Sequence, residues 1–216
     1  MEAKQQDLVS FLKLQDTRFV IPVYQRNYDW RIEHCEQLFD DIMEAGSGDL
    51  NYLHFVGSIV YLKDSLLSTG PKDLTVIDGQ QRLTTITLLY AGIRRKYLVD
   101  GDEKAADRIY RQFLVNEFAE NESKLKLRPV KKDDRALRHI LDGKSVESFD
   151  GYSRLIDNYD YLMRRLSSAD LVAIERGLSK LIFVEMSLER GKDDPQRIFS
   201  KSEFNWLRSE SGRSHP

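Results

Sequence analysis

The sequence predicts an α/β fold of the α+β kind, and three observations carry that expectation. Leu74-Thr75-Val76-Ile77 is a short β-branched, apolar run that enters a turn at Gly79, after which Leu83, Ile86, Leu89, Tyr90, Ile93 and Tyr97 recur at helix spacing. Tyr52–Leu62 and Leu181–Leu188 are apolar runs of strand character. Phe149, Tyr152, Leu155, Ile156, Tyr159, Leu162, Met163 and Leu166 form the clearest helical stripe in the chain.

The remaining elements follow in order. Asp7–Gln15, with Leu8, Phe11, Leu12 and Leu14, reads as a short helix or a strand lead-in. Arg18–Val23 is strand-like and is stopped by Pro22. Ile32, Cys35, Leu38, Phe39, Ile42 and Met43 predict a helix ended by Gly46-Ser47-Gly48. Gly57, inside a strand pattern, predicts a bulge or a close backbone approach. Ala105–Phe118 reads as one amphipathic helical segment, and Ala169–Lys180 as another helix. Lys124–Arg128 alternates strictly, which predicts a half-buried strand with Lys124, Lys126 and Arg128 on one face. That face could meet a phosphate backbone, but Asp133 and Asp134 follow and blunt its field, so a solvated face is the preferred reading.

Composition narrows the function classes. The chain has 216 residues, 41% hydrophobic and 31% charged, with 33 Lys+Arg against 35 Asp+Glu and a net charge of −2. Near-neutrality argues against a surface that is basic throughout, and leaves room for a local basic site. A single cysteine, Cys35, excludes an internal disulfide framework and a cysteine-rich zinc site, and fits a reducing, cytoplasmic setting. Cys35 falls on the apolar side of a helix, as an inert core thiol would. No apolar run approaches the roughly 18 residues of a membrane span, and Met1–Ser10 lacks a signal-peptide core. His34, His54, His139 and His215 are scattered, with no metal-ligand spacing, and read as surface or packing residues.

Asp78–Thr85 is the most informative stretch. Gly79 lets backbone N–H groups face a ligand, and the first N–H groups of the helix starting near Leu83 are unpaired and dipole-positive. Arg82 adds a fork suited to phosphate oxygens, and Thr84 and Thr85 add hydroxyl donors. Gln80 and Gln81 can bond a base, a sugar or the neighbouring loop. Asp78 can hold a divalent cation through water or cap the helix. A structural turn carrying a surface arginine explains the same residues, so both readings stand at this point. A second constellation, Tyr24-Gln25-Arg26-Asn27-Tyr28-Asp29-Trp30, alternates aromatics with polar groups. Arg26 leans towards phosphate binding and Trp30 towards the core.

These two stretches carry a resemblance. IPVYQRNYDW at Ile21–Trp30 and VIDGQQRLTT at Val76–Thr85 resemble, in order and spacing, the two signature motifs of the N-terminal domain of GmrSD-type restriction endonucleases, which recognise modified phage DNA. FVGSIVYL at Phe55–Leu62 is similar to the family's intervening strand, and Asp193–Phe199 to a further family motif. The likeness spans about residues 7–199. The family is similar to the ParB/sulfiredoxin fold, whose phosphate site is a Gly-x-x-Arg turn opening a helix; Gly79 and Arg82 stand at those positions. The resemblance thus implies a ParB/sulfiredoxin-like core at about 7–100 and a mostly helical extension at about 101–199. It also implies binding of an NTP, GTP among the candidates, with Mg²⁺, and in several members hydrolysis coupled to a DNA nuclease.

The tail departs from the family. After Ile198-Phe199 an N-S-T-G-like segment is expected, yet the chain reads KSEFNWLRSESGRSHP from Lys201. One legal codon spelling of Ser202–Leu207, read one base over, spells V-N-S-T-G, so residues 200–216 read as a frameshifted, aberrant tail of a truncated member. No His-Asn-His nuclease centre is evident, so DNA contact is expected through a nuclease domain or partner subunit absent from this chain. Gly143-Lys144-Ser145 is not a Walker loop, because Arg138 occupies the position of its first glycine. The leading expectation is a nucleotide site at Gly79–Thr85, with Arg82 on the phosphates and Asp78 on the Mg²⁺ side. Gln25 and Arg26 would close that site, flanked by Tyr24 or Tyr28. The alternatives are a non-catalytic DNA-binding or partner-binding module, and an inactive remnant.

Overall fold

The computed structural model describes residues 2–49, 52–63, 71–117, 119, 124–189 and 193. The architecture is mixed α/β. In chain order it runs β1 (Glu2–Asp7), α1 (Leu8–Leu12), β2 (Thr17–Val20), α2 (Ile32–Ser47), β3 (His54–Lys63) and β4 (Lys72–Asp78). There follow α3 (Gln80–Val99), α4 (Glu103–Ile109), β5 (Leu127–Arg128), α5 (Lys131–Leu141), α6 (Arg154–Ser167), α7 (Leu171–Ser179) and β6 (Leu181–Glu189). The six strands form one sheet in the order β1-β6-β3-β4-β2-β5. Pairing is mixed: β6 runs antiparallel to β1 and parallel to β3, β3 is antiparallel to β4, and β2 is parallel to both β4 and β5.

Strand β6, near the far end of the chain, is wedged between β1 and β3. Its inward residues Leu181 and Phe183 are fully buried and join Phe11 and Phe19 in the main core. The strand run at 181–188 was legible; its neighbours were not, because a parallel partner is chosen by tertiary packing and not by local sequence.

Helix α3 is the axis of the fold. It is buried on every side from Gln80 to Ile93 apart from Arg82, Thr87 included, which is why its polar threonines sit inside. Each threonine hydroxyl donates to the carbonyl four residues back: Thr84 to Gln80, Thr85 to Gln81 and Thr87 to Leu83, at 2.8, 3.0 and 2.9 Å. Helices α2 and α7 touch backbone to backbone. A Cβ on Gly46 would lie 2.0 Å from Ala173 O, and one on Gly177 would lie 1.9 Å from Ile42 O.

Several expectations need correction. The segment 105–118 is helical only as far as Leu114: α4 passes without a break into a π-turn at Tyr110–Leu114, Val115 bridges to Leu125, and Phe118 lies outside the described residues. Helix α3 starts at Gln80, three residues before Leu83. Tyr152 precedes α6 and is exposed, so it lies outside the apolar stripe. The basic face of 124–128 is solvated only in part: Lys124 and Arg128 are exposed, as expected, but Lys126 is not. Only Leu127–Arg128 is strand, and Lys126 is 2% exposed, with Nζ donating to the carbonyls of Leu12, Leu14 and Gln112 at 2.9, 3.0 and 2.8 Å. Three carbonyls from other segments supply the partners that alternation could not reveal. Burial lowers the Lys126 ammonium to about 8. Cys35 is fully buried as expected, and burial pushes its thiol up. His34, His54 and His139 make local contacts with Arg31, Asp41 and Ser145. His215, the tail at 200–216 and the motif from Asp194 onward lie outside the described residues. Among the described residues no helix is long and apolar enough to cross a membrane.

Candidate functional site

Strand β4 delivers the chain to Asp78, and Gly79 turns it into α3. Gly79 is the N-cap of α3 and adopts φ +90°, the left-handed region that glycine reaches without strain. A side chain there would also meet Ser58 O and Ile59 at 3.0 Å. Asp78 Oδ1 accepts from Gly79 N at 2.8 Å and so braces the turn, while Oδ2 has no hydrogen-bond partner among the described residues.

Arg82 points towards β3. Its Nη1 donates to Ser58 O at 2.9 Å, and its Nη2 lies 2.9 Å from where a Cβ of Gly57 would stand. Gly57 has φ +94° and sits where the β3–β6 register shifts between Phe55 and Ser58. The glycine is therefore a bulge, as the sequence pattern anticipated, and also a seat for the guanidinium, which it did not. Among the described residues no carboxylate lies within ion-pair distance of Arg82; the Asp78 charge acts on it from further away. Burial lowers the Arg82 pKa from its ordinary value and Asp78 opposes the shift, so the cation is partly desolvated and keeps spare donors.

The other side of the turn is a hydrogen-bond network. Gln25 Nε2 donates to Ile77 O at 2.9 Å, and Gln25 Oε1 accepts from Gln80 Nε2 at 3.1 Å. Gln81 Oε1 accepts from the backbone N–H groups of Asp29 and Trp30 at 2.8 and 3.3 Å, and its Nε2 donates to Asn27 O at 3.2 Å. The Tyr28 hydroxyl shares a 2.7 Å hydrogen bond with Thr85 Oγ1 and accepts from Asn158 Nδ2 at 2.9 Å. Tyr28 N donates to Asp133 Oδ2 at 2.7 Å. Burial raises the Tyr28 phenol well above its usual value and raises the Asp133 carboxyl as well.

The two sequence motifs thus do meet, and in a specific way. Gln25 and Tyr28 are buried and clamp the start of α3, whereas Arg26 is exposed and Tyr24 is 70% exposed. Arg26, Gln80, Gln81, Thr84 and Asp133 line a pocket of about 10 Å³, the size of one water. The carbonyl of Ile77 can only accept, which orients the Gln25 amide, which in turn orients Gln80. Gln80 Oε1 is left buried with no partner. The Thr84 hydroxyl bonds within α3, the Thr85 hydroxyl bonds both α3 and Tyr28, and Trp30 packs against the core as expected.

Two contributors escaped the sequence reading. Asn158 is 1% exposed and bonds both the Tyr28 hydroxyl and Trp30 O. Its signal was available: it falls three residues after Leu155 and four before Leu162, an inward position held by a polar residue. Asp133, in the first turn of α5, looks in sequence like any acidic residue at a helix start. For Mg²⁺, no group of three His, Cys, Asp or Glu that could hold a metal occurs among the described residues. Asp78 could contribute one carboxylate oxygen to a cation carried by phosphates, the usual manner of Mg²⁺.

No curated protein matches the chain. The family model described as GmrSD restriction endonuclease, N-terminal domain, matches residues 6–204, which spans both motifs, β3 between them, and β6. With the Gly79–Arg82 turn and its glutamine clamp inside that match, the chain belongs to the GmrSD restriction endonuclease N-terminal domain family.

Proposed function

We propose that this domain of a restriction system binds the phosphates of a nucleoside triphosphate at the Gly79–Arg82 turn, on a core of ParB/sulfiredoxin type. The observation that carries the reading is Arg82. A partly desolvated guanidinium without a carboxylate at ion-pair distance among the described residues stands beside a left-handed glycine and the N-terminus of a 20-residue helix. Every element of that arrangement favours an anion, and a triphosphate supplies the counter-charge. Mg²⁺ bound to the phosphates would be met by the free oxygen of Asp78, and Arg26 would close the site from the exposed side of the first motif. Hydrolysis, where it occurs, requires a water held in line with the terminal phosphate. Coupling to DNA would run through a nuclease partner.

Calorimetric titration of NTPs with Mg²⁺ tests this against Arg82→Ala. The expected outcome is a loss of affinity of at least about 100-fold, since charge-assisted guanidinium–phosphate bonds contribute about 3 kcal/mol. Thermal melting should be nearly unchanged. Equal affinity in both proteins would remove the phosphates from this turn. Salt-sensitive DNA binding that ignores nucleotide would favour a DNA-binding module instead.

A further inference from the structure

Helix α3 carries another constellation at its far end. From Gln80 to Arg94 the helix rises about 21 Å. There Arg94 and Arg95 line a cavity of about 160 Å³ with Asp142, Gly143 and Tyr159. Tyr159 is 6% exposed, yet its hydroxyl hydrogen-bonds no described residue. A buried phenol ordinarily finds a partner. This one opens on the cavity, and the charges of both guanidinium groups act on it.

The two arginines are employed differently. Arg94 is half-buried, its Nη1 3.4 Å from Leu141 O and its guanidinium 4.4 Å above the Tyr110 ring. Arg95 is exposed and forms no ion pair or hydrogen bond with any described residue. Its Nη1 lies 3.9 Å from where a Cβ of Gly143 would stand. The Asp142 carboxylate on the wall is already paired with Lys144 at 2.9 Å. The donors facing the cavity are therefore two guanidinium groups and one phenol, and the wall's own carboxylate charge is answered. Guanidinium forks match the oxygens of a phosphate, and a phenol donates to a further one. The volume is below the roughly 300 Å³ at which pockets begin to hold drug-sized molecules, so it suits a phosphate group and not a whole nucleotide.

We propose that this cavity is an oxyanion site for a phosphate group, separate from the glycine–arginine turn, with Arg95 and Tyr159 as its principal donors. The phosphate comes either from a free phosphorylated small molecule or from a nucleic-acid backbone crossing the end of α3.

The test uses the full chain carrying Arg82→Ala, which removes the other phosphate reading from the measurement. Inorganic phosphate is titrated calorimetrically into this protein and into versions with Arg95→Gln or Tyr159→Phe added. Tyr159→Phe deletes only the hydroxyl, and Arg95 is exposed, so neither change disturbs the core; melting curves verify this. The expected result is saturable binding that falls about 10-fold with Arg95→Gln and about 5-fold with Tyr159→Phe. Absent binding, or binding indifferent to both changes, overturns the proposal. A gel-shift arm with a short DNA duplex separates the sources. Loss of duplex binding with Arg95→Gln assigns a nucleic-acid phosphate. Unchanged duplex binding, with phosphate binding lost, assigns a small phosphorylated compound.

Discussion

Gln81 and Arg82 stand side by side in the chain but face different sides of α3, and the two sides are built differently. On the Gln81 side the amide is spent on three backbone groups of the first motif, and Tyr28, Thr85, Asn158 and Asp133 complete the network. On the Arg82 side a cation lies over Gly57 with a single hydrogen bond to Ser58 O. One motif therefore contains residues with opposite jobs. Gln81 holds the loop that holds the helix, while Arg82 is left with donors to give. Stability should track the first side and ligand affinity the second.

The sharpest break would come from Gln81→Leu. It leaves Asp29 N, Trp30 N and Asn27 O without their partner, for an expected loss of about 2 kcal/mol in denaturant unfolding. Nucleotide affinity per folded molecule should change little. A large fall in affinity at full stability would merge the two sides into one site. Next in size is Gly57→Ala. Its strained φ should cost about 1 kcal/mol. The new methyl would displace the Arg82 guanidinium, so affinity should fall about 10-fold, a change that calorimetry would register. Smallest is the pH dependence set by Asp133. Burial holds its folded pKa above the unfolded value near 3.8, so the folded state binds more protons in that window. Stability contributed by Asp133 is thus present at low pH and lost as pH rises through the folded pKa. Asp133→Asn keeps an acceptor for Tyr28 N and should abolish that slope, so the variant gains on the wild type as pH rises above 3.8. Parallel stability–pH curves for the two proteins would remove Asp133 from the network.

What the sequence determined by itself was local. β-branched runs, helix spacing and glycine punctuation are properties of neighbouring residues, so β3, β4, α2, α3, α6, α7 and β6 were legible, as was the special role of Gly57. The turn at Gly79 could be read because a left-handed residue before a helix is a local demand. Tertiary structure decided everything that depends on a distant partner. Lys126 looked like a surface cation until Leu12, Leu14 and Gln112 brought three carbonyls to it. Gln25 and Gln80 offered amides to a ligand in the sequence, and the fold also sets them against each other across 55 residues. Strand β6 found its place between β1 and β3 only when both were present. A polar side chain takes its role from whatever the fold sets opposite it, and hydrogen-bond partners of high sequence separation leave no periodic trace in the chain.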